Sequence, residues 1–137
     1  MRKKLTPIPK LVKKLDDVFK KWVRYRDDFT CCTCGRKFPR GETTQLHAGH
    51  FLSRGIYATR WDERNVNAQC AGCNLKQSLA DVEVIHTYEV FLKAKYGDAV
   101  IDELLTLKHT PYKLNRAEIE DKIHYYTEKL DEYKRND

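Results

Sequence analysis

The chain has 137 residues, of which 34% are charged, and a formal net charge of +6. This length allows one domain with a modest core. No stretch approaches the roughly 18 apolar residues that a membrane span needs, and no apolar run follows the basic N-terminus as it does in a signal peptide. These features exclude membrane-spanning classes and predict a reduced, cytoplasmic protein whose cysteines do not form disulfides.

The positive charge is concentrated in the first half of the chain. Residues 1–26 contain ten Lys and Arg against two Asp, and residues 29–80 contain seven against three acids. Residues 81–137 reverse the balance, with nine against thirteen, and Asp27 and Asp28 add two further negative charges. A basic front half favours a polyanionic partner, most often DNA or RNA, although charge alone fits an ordinary solvated helix face equally well.

The first 28 residues are predicted to form a basic arm and a helix. Pro7 and Pro9 disfavour helix before them, so residues 1–9 are expected to be extended. From about residue 10 to residue 26 apolar residues recur at helical spacing, which indicates a core-facing stripe. Lysines occupy the opposite face, where they can contact DNA phosphates: Lys13, Lys14, Lys20 and Lys21.

Two cysteine pairs dominate residues 29–80. Each pair places two thiolates on one tight turn, and four thiolates complete the tetrahedral shell of a structural zinc. The pairs are Cys31 with Cys34 and Cys70 with Cys73. The 35 residues between the pairs exceed the about 15–20 of a bare zinc ribbon. We expect the fifth cysteine, Cys32, to be a bystander, although pairing with Cys34 is a weaker alternative.

The elements around these cysteines are expected to be short. The sequence predicts a first zinc knuckle with a short strand pair over 29–46, an irregular segment over 47–61, and a strand over 66–69. A helix is expected to begin near Asn74.

Three further helices are predicted over residues 81–137. The first spans about 82–96 and ends at Gly97, the second runs from Asp98 to about 107, and the third starts at Asn115 with Glu118 three residues on. The third carries an apolar stripe for core or dimer packing: Ile119, Ile123, Tyr126, Leu130 and Tyr133.

The chemistry is expected between the cysteine pairs. Hydrolysis of a phosphodiester needs a base to activate water and a cation to stabilise charge on the phosphate. Histidine is the usual base near neutral pH, and oxygen ligands suit Mg²⁺. The segment supplies both kinds of group in His47, His50, Asn65 and Asn74.

The order CxxC, His, Asn, CxxC-Asn resembles the HNH (ββα-metal) nuclease family. Over nearly the whole chain, the runs "KLVKKLDDVFKKWVRYRD", "CCTCG", "HAGHFLSRG", "TRWDERNVNAQCAGCN" and "KYG" resemble the phage NinG (Rap) recombination proteins. Those proteins are associated with cutting branched DNA such as Holliday junctions. The resemblance implies a small α+β fold: one HNH nuclease domain over 1–137, with a treble-clef zinc core flanked by N- and C-terminal helices.

The resemblance also implies roles for individual residues of a metal-dependent endodeoxyribonuclease. His50 would be the general base, and Asn65 would hold the loop of the base through hydrogen bonds to backbone. Asn74 would bind a catalytic Mg²⁺ or Mn²⁺, separate from the structural Zn²⁺. Arg54 and Arg60 would clamp the phosphate, and a phage-encoded protein would work in the host cytoplasm.

One position departs from the HNH pattern. Most family members place a metal-binding aspartate or histidine directly before the base, where this chain has Gly49. We hypothesise that His47 replaces the missing ligand. Residues three apart face opposite sides of a regular strand, so this hypothesis requires a bulge or turn at Gly49 that brings His47 and His50 together.

Several alternatives stay open at the level of sequence. Asn65 and Asn67 compete for one role. Cutting both strands of a junction favours a homodimer, for which the C-terminal helices are candidate surfaces. An HNH nicking or packaging endonuclease without junction preference fits the same residues, and a catalytically inert zinc DNA-binding module would explain the cysteines and the basic front half.

Overall fold

The computed structural model describes residues 4–137, and in them it contains six helices and one two-stranded sheet. The elements are α1 (Ile8–Arg26), β1 (Leu46–His50), α2 (Tyr57–Arg60), β2 (Val66–Cys70), α3 (Ala71–Ser78), α4 (Val82–Tyr96), α5 (Val100–Lys108) and α6 (Arg116–Arg135). The predicted α+β class is confirmed. Residues 1–3 of the predicted basic arm lie outside the described residues. Within residues 4–137 no helix is both long and apolar enough to cross a membrane.

The chain packs as two compact units. The first consists of the residues up to Trp22 together with Lys113–Asp137, and the second is Val23–Tyr112. In the first unit the ring of Tyr126 on α6 lies 4.8 Å from Phe19 and 4.9 Å from Trp22 on α1. Ile119, Ile123 and Leu130 of the α6 stripe are also buried, and Tyr133 is partly buried. The stripe therefore agrees with the core-packing alternative, and the homodimer stays a prediction.

Most helix boundaries follow local signals. α4 ends at Gly97, which has a φ of 98°, and the side chain of Asn115 accepts a hydrogen bond from the Glu118 amide at 3.1 Å. Both predicted boundaries are confirmed. α1 begins two residues earlier than predicted, because Pro9 is tolerated in a first turn that needs no amide from it. α5 begins after Ala99, not Asp98, and has no side-chain cap.

The sheet of the second unit is a hairpin of β1 and β2. The strands pair antiparallel, with continuous register from Leu46 opposite Cys70 to His50 opposite Val66. The irregular segment predicted over 47–61 is therefore wrong for its first four residues, and it is also wrong for Tyr57–Arg60, which form α2. The alternation of apolar and polar side chains that predicts a strand is weak in β1, because Leu46 and Ala48 are its only apolar side chains. The strand pair predicted over 29–46 is reduced to one bridge between Thr30 and Lys37.

Two apolar clusters support the hairpin and its helices. One contains Phe29, Cys31, Phe38, Leu46 and Ala68, and the other contains Tyr88, Leu92, Val100 and Leu104. α3 follows β2 without a loop and packs on both strands, while α4 packs on α3 and α5. This arrangement places the last cysteine pair and Asn74 beside β1.

The outer edge of β2 is closed by side chains and backbone from the end of α1 and the segment after it. Asp27 Oδ2 accepts a hydrogen bond from the Ala68 amide at 2.7 Å, and the Cys32 amide donates to the Ala68 carbonyl at 2.8 Å. Arg26 donates to the Val66 carbonyl at 2.7 Å. A two-stranded hairpin is marginal by itself, so these bonds extend its hydrogen bonding without a third strand.

Candidate active site and metal centre

The four predicted cysteines form one cluster. Cys31 and Cys34 lie on the knuckle after α1, and Cys70 and Cys73 span the junction of β2 and α3. Their sulfur atoms all lie within 4.8 Å of one another. In each pair the second cysteine's amide donates to the first cysteine's sulfur at 3.4 Å. Four sulfurs this close fit a tetrahedral metal such as zinc, so the prediction of a metal-binding cysteine cluster is confirmed in geometry.

The pKa values of three thiols in the cluster are shifted, and not all in the same direction. Burial opposes ionisation of Cys31, but hydrogen bonds to its sulfur outweigh burial and lower its pKa to about 6. Burial raises the pKa of Cys73 to about 12 and also raises the pKa of Cys34. Without a metal, Cys31 is therefore more acidic than Cys34 and Cys73. A bound cation would favour the deprotonated form of every ligand.

Cys32 is separate from this cluster. Its side chain packs against the apolar cluster that contains Tyr88. Burial raises the pKa of Cys32, which keeps it protonated and unreactive. The interpretation of Cys32 as a bystander agrees with this position.

The continuous strand register decides how the histidines are arranged. Because β1 is regular from Leu46 to His50, side chains alternate between its two faces. His47 and Gly49 share one face, and His50 projects from the other. The bulge that we expected at Gly49 is absent from the strand, so His47 and His50 are not brought together in that way.

His47 instead meets Asn74. Its Nε2 lies 3.2 Å from the Thr44 carbonyl oxygen, and its Nδ1 lies 3.2 Å from the Asn74 side-chain nitrogen. A carbonyl oxygen only accepts, so Nε2 carries the proton and Nδ1 presents a lone pair toward Asn74. The helix that follows the second cysteine pair thus brings the two predicted cation ligands into contact, although 27 residues separate them.

His50 is held at its ring and through the adjacent backbone. Its Nε2 donates to the Arg60 carbonyl at 3.0 Å. The His50 carbonyl accepts from the Gln77 side chain at 2.8 Å, and the Gly49 carbonyl accepts from the Tyr88 hydroxyl at 2.6 Å. Because Nε2 is the donor, Nδ1 is the ring nitrogen that can accept a proton.

Asn65 holds together the loop between the two strands. Its side chain accepts from the Leu52 amide at 2.8 Å and donates to the carbonyls of Leu52 and Thr59, each at 3.1 Å. The residue is fully buried. Asn67 is also buried, but it bonds to the Arg64 carbonyl and the Tyr88 hydroxyl. Of the two asparagines, Asn65 makes the loop contacts that the resemblance implied, and its part in catalysis stays a prediction.

The two predicted phosphate-binding arginines lie in the same loop. Arg54 is exposed, and its carbonyl accepts from the Arg60 guanidinium at 3.2 Å. That guanidinium lies 5.0 Å from the ring centre of Tyr57 and 5.6 Å from that of Trp61. In the other compact unit, α1 exposes all four predicted lysines, of which Lys20 pairs with Asp17 at 3.2 Å.

Sequence reasoning missed several polar residues that support this site. In the sequence Arg26 and Asp27 stand out only by their charge, yet they close the β2 edge. Burial disfavours the charge of Arg26, but the hydrogen bond and charge of Asp27 raise its pKa overall. Gln69 and Gln77 were not singled out. A glutamine between apolar strand positions and next to a cysteine ligand was the one available signal for Gln69.

Comparison with known proteins relates this chain to one family of phage proteins. A family model described as the bacteriophage lambda NinG protein matches residues 1–136. The protein ninG of Salmonella phage P22 is 31% identical over 102 residues, which cover 73% of this chain and 46% of that protein. The protein ninG of Escherichia phage 933W is 30% identical over 102 residues, covering 73% and 47%. The chain thus spans about half the length of these curated relatives. No solved structure matches it significantly.

Proposed function

The chain belongs to the bacteriophage lambda NinG protein family, and from that premise we propose that it is an HNH-type, metal-dependent DNA endonuclease. Its substrates would be branched recombination intermediates such as Holliday junctions. One observation carries the proposal: His47 on β1 contacts Asn74 on α3 at 3.2 Å. His47 lies on the strand that carries His50, although the two side chains project from opposite faces of that strand. An inert zinc module has no need of this arrangement.

The contact between His47 and Asn74 supports a cation site. His47 Nδ1 presents a lone pair, and rotation of the Asn74 amide by half a turn would direct its oxygen to the same point, since amide orientation follows the local partner. The oxygen suits Mg²⁺ or Mn²⁺. When bound, the cation would supply positive charge to the phosphate and the leaving oxygen. His47 thus takes the place of the ligand absent at Gly49 without a bulge.

The hydrogen bond of His50 supports its role as general base. Nδ1 would take a proton from the attacking water, while the Nε2 proton stays bonded to the Arg60 carbonyl at 3.0 Å. A carbonyl beside the ring stabilises the protonated imidazole. Asn65 would keep the Arg60 carbonyl in place through its bond to Thr59. Products would carry 5′-phosphate and 3′-hydroxyl ends.

Two separate sets of exposed cations are candidates for DNA binding. Arg54 would contribute from the loop whose Arg60 carbonyl holds the proposed base, and the lysines of α1 would add sequence-independent attraction to phosphates. The four cysteines would hold a structural Zn²⁺ in a treble-clef core. A homodimer remains part of the proposal, but its surface must lie elsewhere than the buried α6 stripe.

The proposal is tested with labelled DNA of matched sequence, as a four-way junction and as a linear duplex. Wild type and His50→Ala are compared with Mg²⁺ and with EDTA, after zinc content shows that both are folded. We expect metal-dependent cutting of the junction that His50→Ala abolishes while binding persists. Equal cutting of both DNAs would retain the nuclease and refute junction selectivity. Binding without cutting, with Mg²⁺ and Mn²⁺ alike, would refute the nuclease in favour of an inert zinc module.

The role of His47 needs its own variant. His47→Ala should raise the Mg²⁺ concentration needed for cutting more than it weakens DNA binding. An unchanged metal dependence would remove His47 from the cation site and leave the function of His50 intact.

A further inference from the structure

Two glutamines connect the strand of the proposed base to the helix of the proposed cation ligand. Gln77 on α3 donates from Nε2 to the His50 carbonyl at 2.8 Å. Its Oε1 accepts from Gln69 Nε2 on β2 at 2.9 Å. Gln69 is fully buried, and its Nε2 also lies 3.5 Å from the Thr33 hydroxyl on the first zinc knuckle. One chain of amides therefore joins β1, α3, β2 and the knuckle.

The orientation of both amides is determined by their partners. The His50 carbonyl can only accept, so Gln77 must present its nitrogen there and its oxygen to Gln69. Gln69 must then present its nitrogen to Gln77. Flipping either amide would place two acceptors or two donors against each other. The His50 carbonyl therefore fixes the orientation of the Gln77 amide, which in turn fixes the orientation of the Gln69 amide.

The remaining oxygen of Gln69 lies against Gly49. A Cβ added to Gly49 would lie 2.2 Å from Gln69 Oε1 and 2.8 Å from Gln69 Cβ. Within the described part of the chain, Gln69 Oε1 is a buried side-chain atom without a hydrogen-bond partner. An unsatisfied buried acceptor costs stability, so an apolar side chain would serve packing better. The Gln69 amide is therefore better explained by its hydrogen bond to Gln77 and its contact with Gly49.

We propose that Gln77 is a positioning residue, which with Gln69 fixes the strand of His50 against the helix of Asn74. This inference rests on the proposed nuclease function. It also accounts for the departure at Gly49: the Gln69 amide occupies the space of a side chain at position 49, so a ligand there is sterically excluded. The cation ligand must then come from His47, two residues earlier on the same face.

The inference is tested with two variants and one matched control. Gln77→Leu keeps the size of the side chain and removes both hydrogen bonds. Gln77→Glu keeps an acceptor for Gln69 but places a carboxylate against the His50 carbonyl. Ser78→Ala is the control, since this exposed neighbour on α3 bonds only to the local Leu75 carbonyl. All three proteins are compared with wild type at full zinc loading and below their melting temperatures.

The first measurement is independent of DNA cleavage. In NMR spectra of the zinc-loaded protein, the Gln77 side-chain amide of wild type should exchange slowly with solvent. The ring signals of His50 should shift in both Gln77 variants and not in Ser78→Ala. His124 is an internal reference, because it pairs with Glu128 in the other compact unit. Unchanged His50 signals in both Gln77 variants would overturn the inference.

The second measurement separates positioning from simple structural support. Misplacement of a reacting group by about 1 Å can cost on the order of a hundredfold in rate. We therefore expect Gln77→Leu to lower kcat for junction cleavage by at least about tenfold, with KM for DNA within about twofold of wild type. Loss of thermal stability with unchanged kcat would overturn the inference. A wild type that cuts no DNA would refute the proposed function, and the NMR result would still decide whether Gln77 positions His50.

A double substitution tests the contact at Gly49. Gly49→Ala alone should disturb the His50 signals, because its methyl group meets the Gln69 amide. Adding Gln69→Gly, which removes the Cβ of residue 69 as well as its amide, should reverse most of that disturbance by removing the clash. Equal disturbance by Gly49→Ala with and without Gln69→Gly would show that the glutamine does not exclude a side chain at position 49.

Discussion

The two compact units of this chain are stabilised by different interactions. The unit of α1 and α6 is held by apolar and aromatic burial, with Phe19, Trp22 and Tyr126 in mutual ring contact. The hairpin of the other unit also packs on apolar clusters, but polar groups add directional contacts to it: four clustered sulfurs, an edge closed by Arg26 and Asp27, and a loop held by Asn65. Burial is non-directional, whereas hydrogen bonds and metal ligands fix positions. The unit with more directional contacts is the one that carries the proposed catalytic residues.

Removal of the metal cluster should give the largest effect and should act on one unit. Structural zinc contributes about 10–16 kcal/mol of apparent binding free energy in small zinc-dependent folds at pH 7. We expect Cys70→Ser to lose zinc and to remove hydrogen-exchange protection from β1 and β2, while α6 amides stay protected. Metal analysis and exchange measured by mass spectrometry test this.

Cys32→Ala is the matched control for that experiment, because Cys32 lies outside the cluster. It should keep a full equivalent of zinc. Loss of protection in α6 together with the hairpin would show that the two units do not differ as described.

Truncation in the helical unit should give the next effect. Phe19 is almost fully buried against Trp22 and Tyr126, and Phe→Ala changes in cores cost about 3–5 kcal/mol. Phe19→Ala should lower the free energy of unfolding by that amount in denaturant titration, with zinc content unchanged. The exposed neighbour Lys20 is the control, since Lys20→Ala should change stability by less than about 0.5 kcal/mol. Zinc loss in Phe19→Ala would contradict the distinction.

Removal of the loop asparagine should give a smaller change in stability. Asn65→Ala leaves the Leu52 amide and two carbonyls without their partner, and orphaning a buried group costs about 1–3 kcal/mol. Zinc should be retained, and exchange should accelerate in residues 51–65. Ser53→Ala, which removes an exposed bond to the Gly55 amide in the same loop, should leave exchange unchanged. Equal effects of Asn65→Ala and Ser53→Ala on exchange would refute the role of Asn65 in holding this loop together.

The smallest effect on stability is expected from Glu42, which lies before β1 in the chain. The amides of Gln45 and Thr44 and the Thr44 hydroxyl bond to the Glu42 carboxylate and lower its pKa from 4.5. A lowered folded-state pKa stabilises the protein above the unfolded value and loses that contribution as the pH falls through the folded value. Glu42→Gln should therefore lower Tm slightly, by the same amount at pH 7 and pH 5.5. A difference that disappears by pH 5.5 would contradict the lowered pKa.

Local signals account for much of the fold. The 3.6-residue period predicted α1, α4 and α6, because helix formation and its caps depend on residues within one or two turns. Gly97 and Asn115 marked boundaries for the same reason. The spacing of Cys31, Cys34, Cys70 and Cys73 predicted one metal cluster, since each pair needs only a tight turn and the metal supplies the long-range connection.

Only the tertiary structure decided the arrangement of the candidate site. β1 has too few apolar residues to show its period, and it forms because β2 and α3 pack on it. The meeting of His47 with Asn74 and the use of Gln77 to hold His50 depend on hydrogen bonds across 27 residues. The sequence alone determined which chemical groups are present and which family carries them. Their partners were decided by strand register and helix packing, because directional bonds between distant residues leave no period or spacing in the chain.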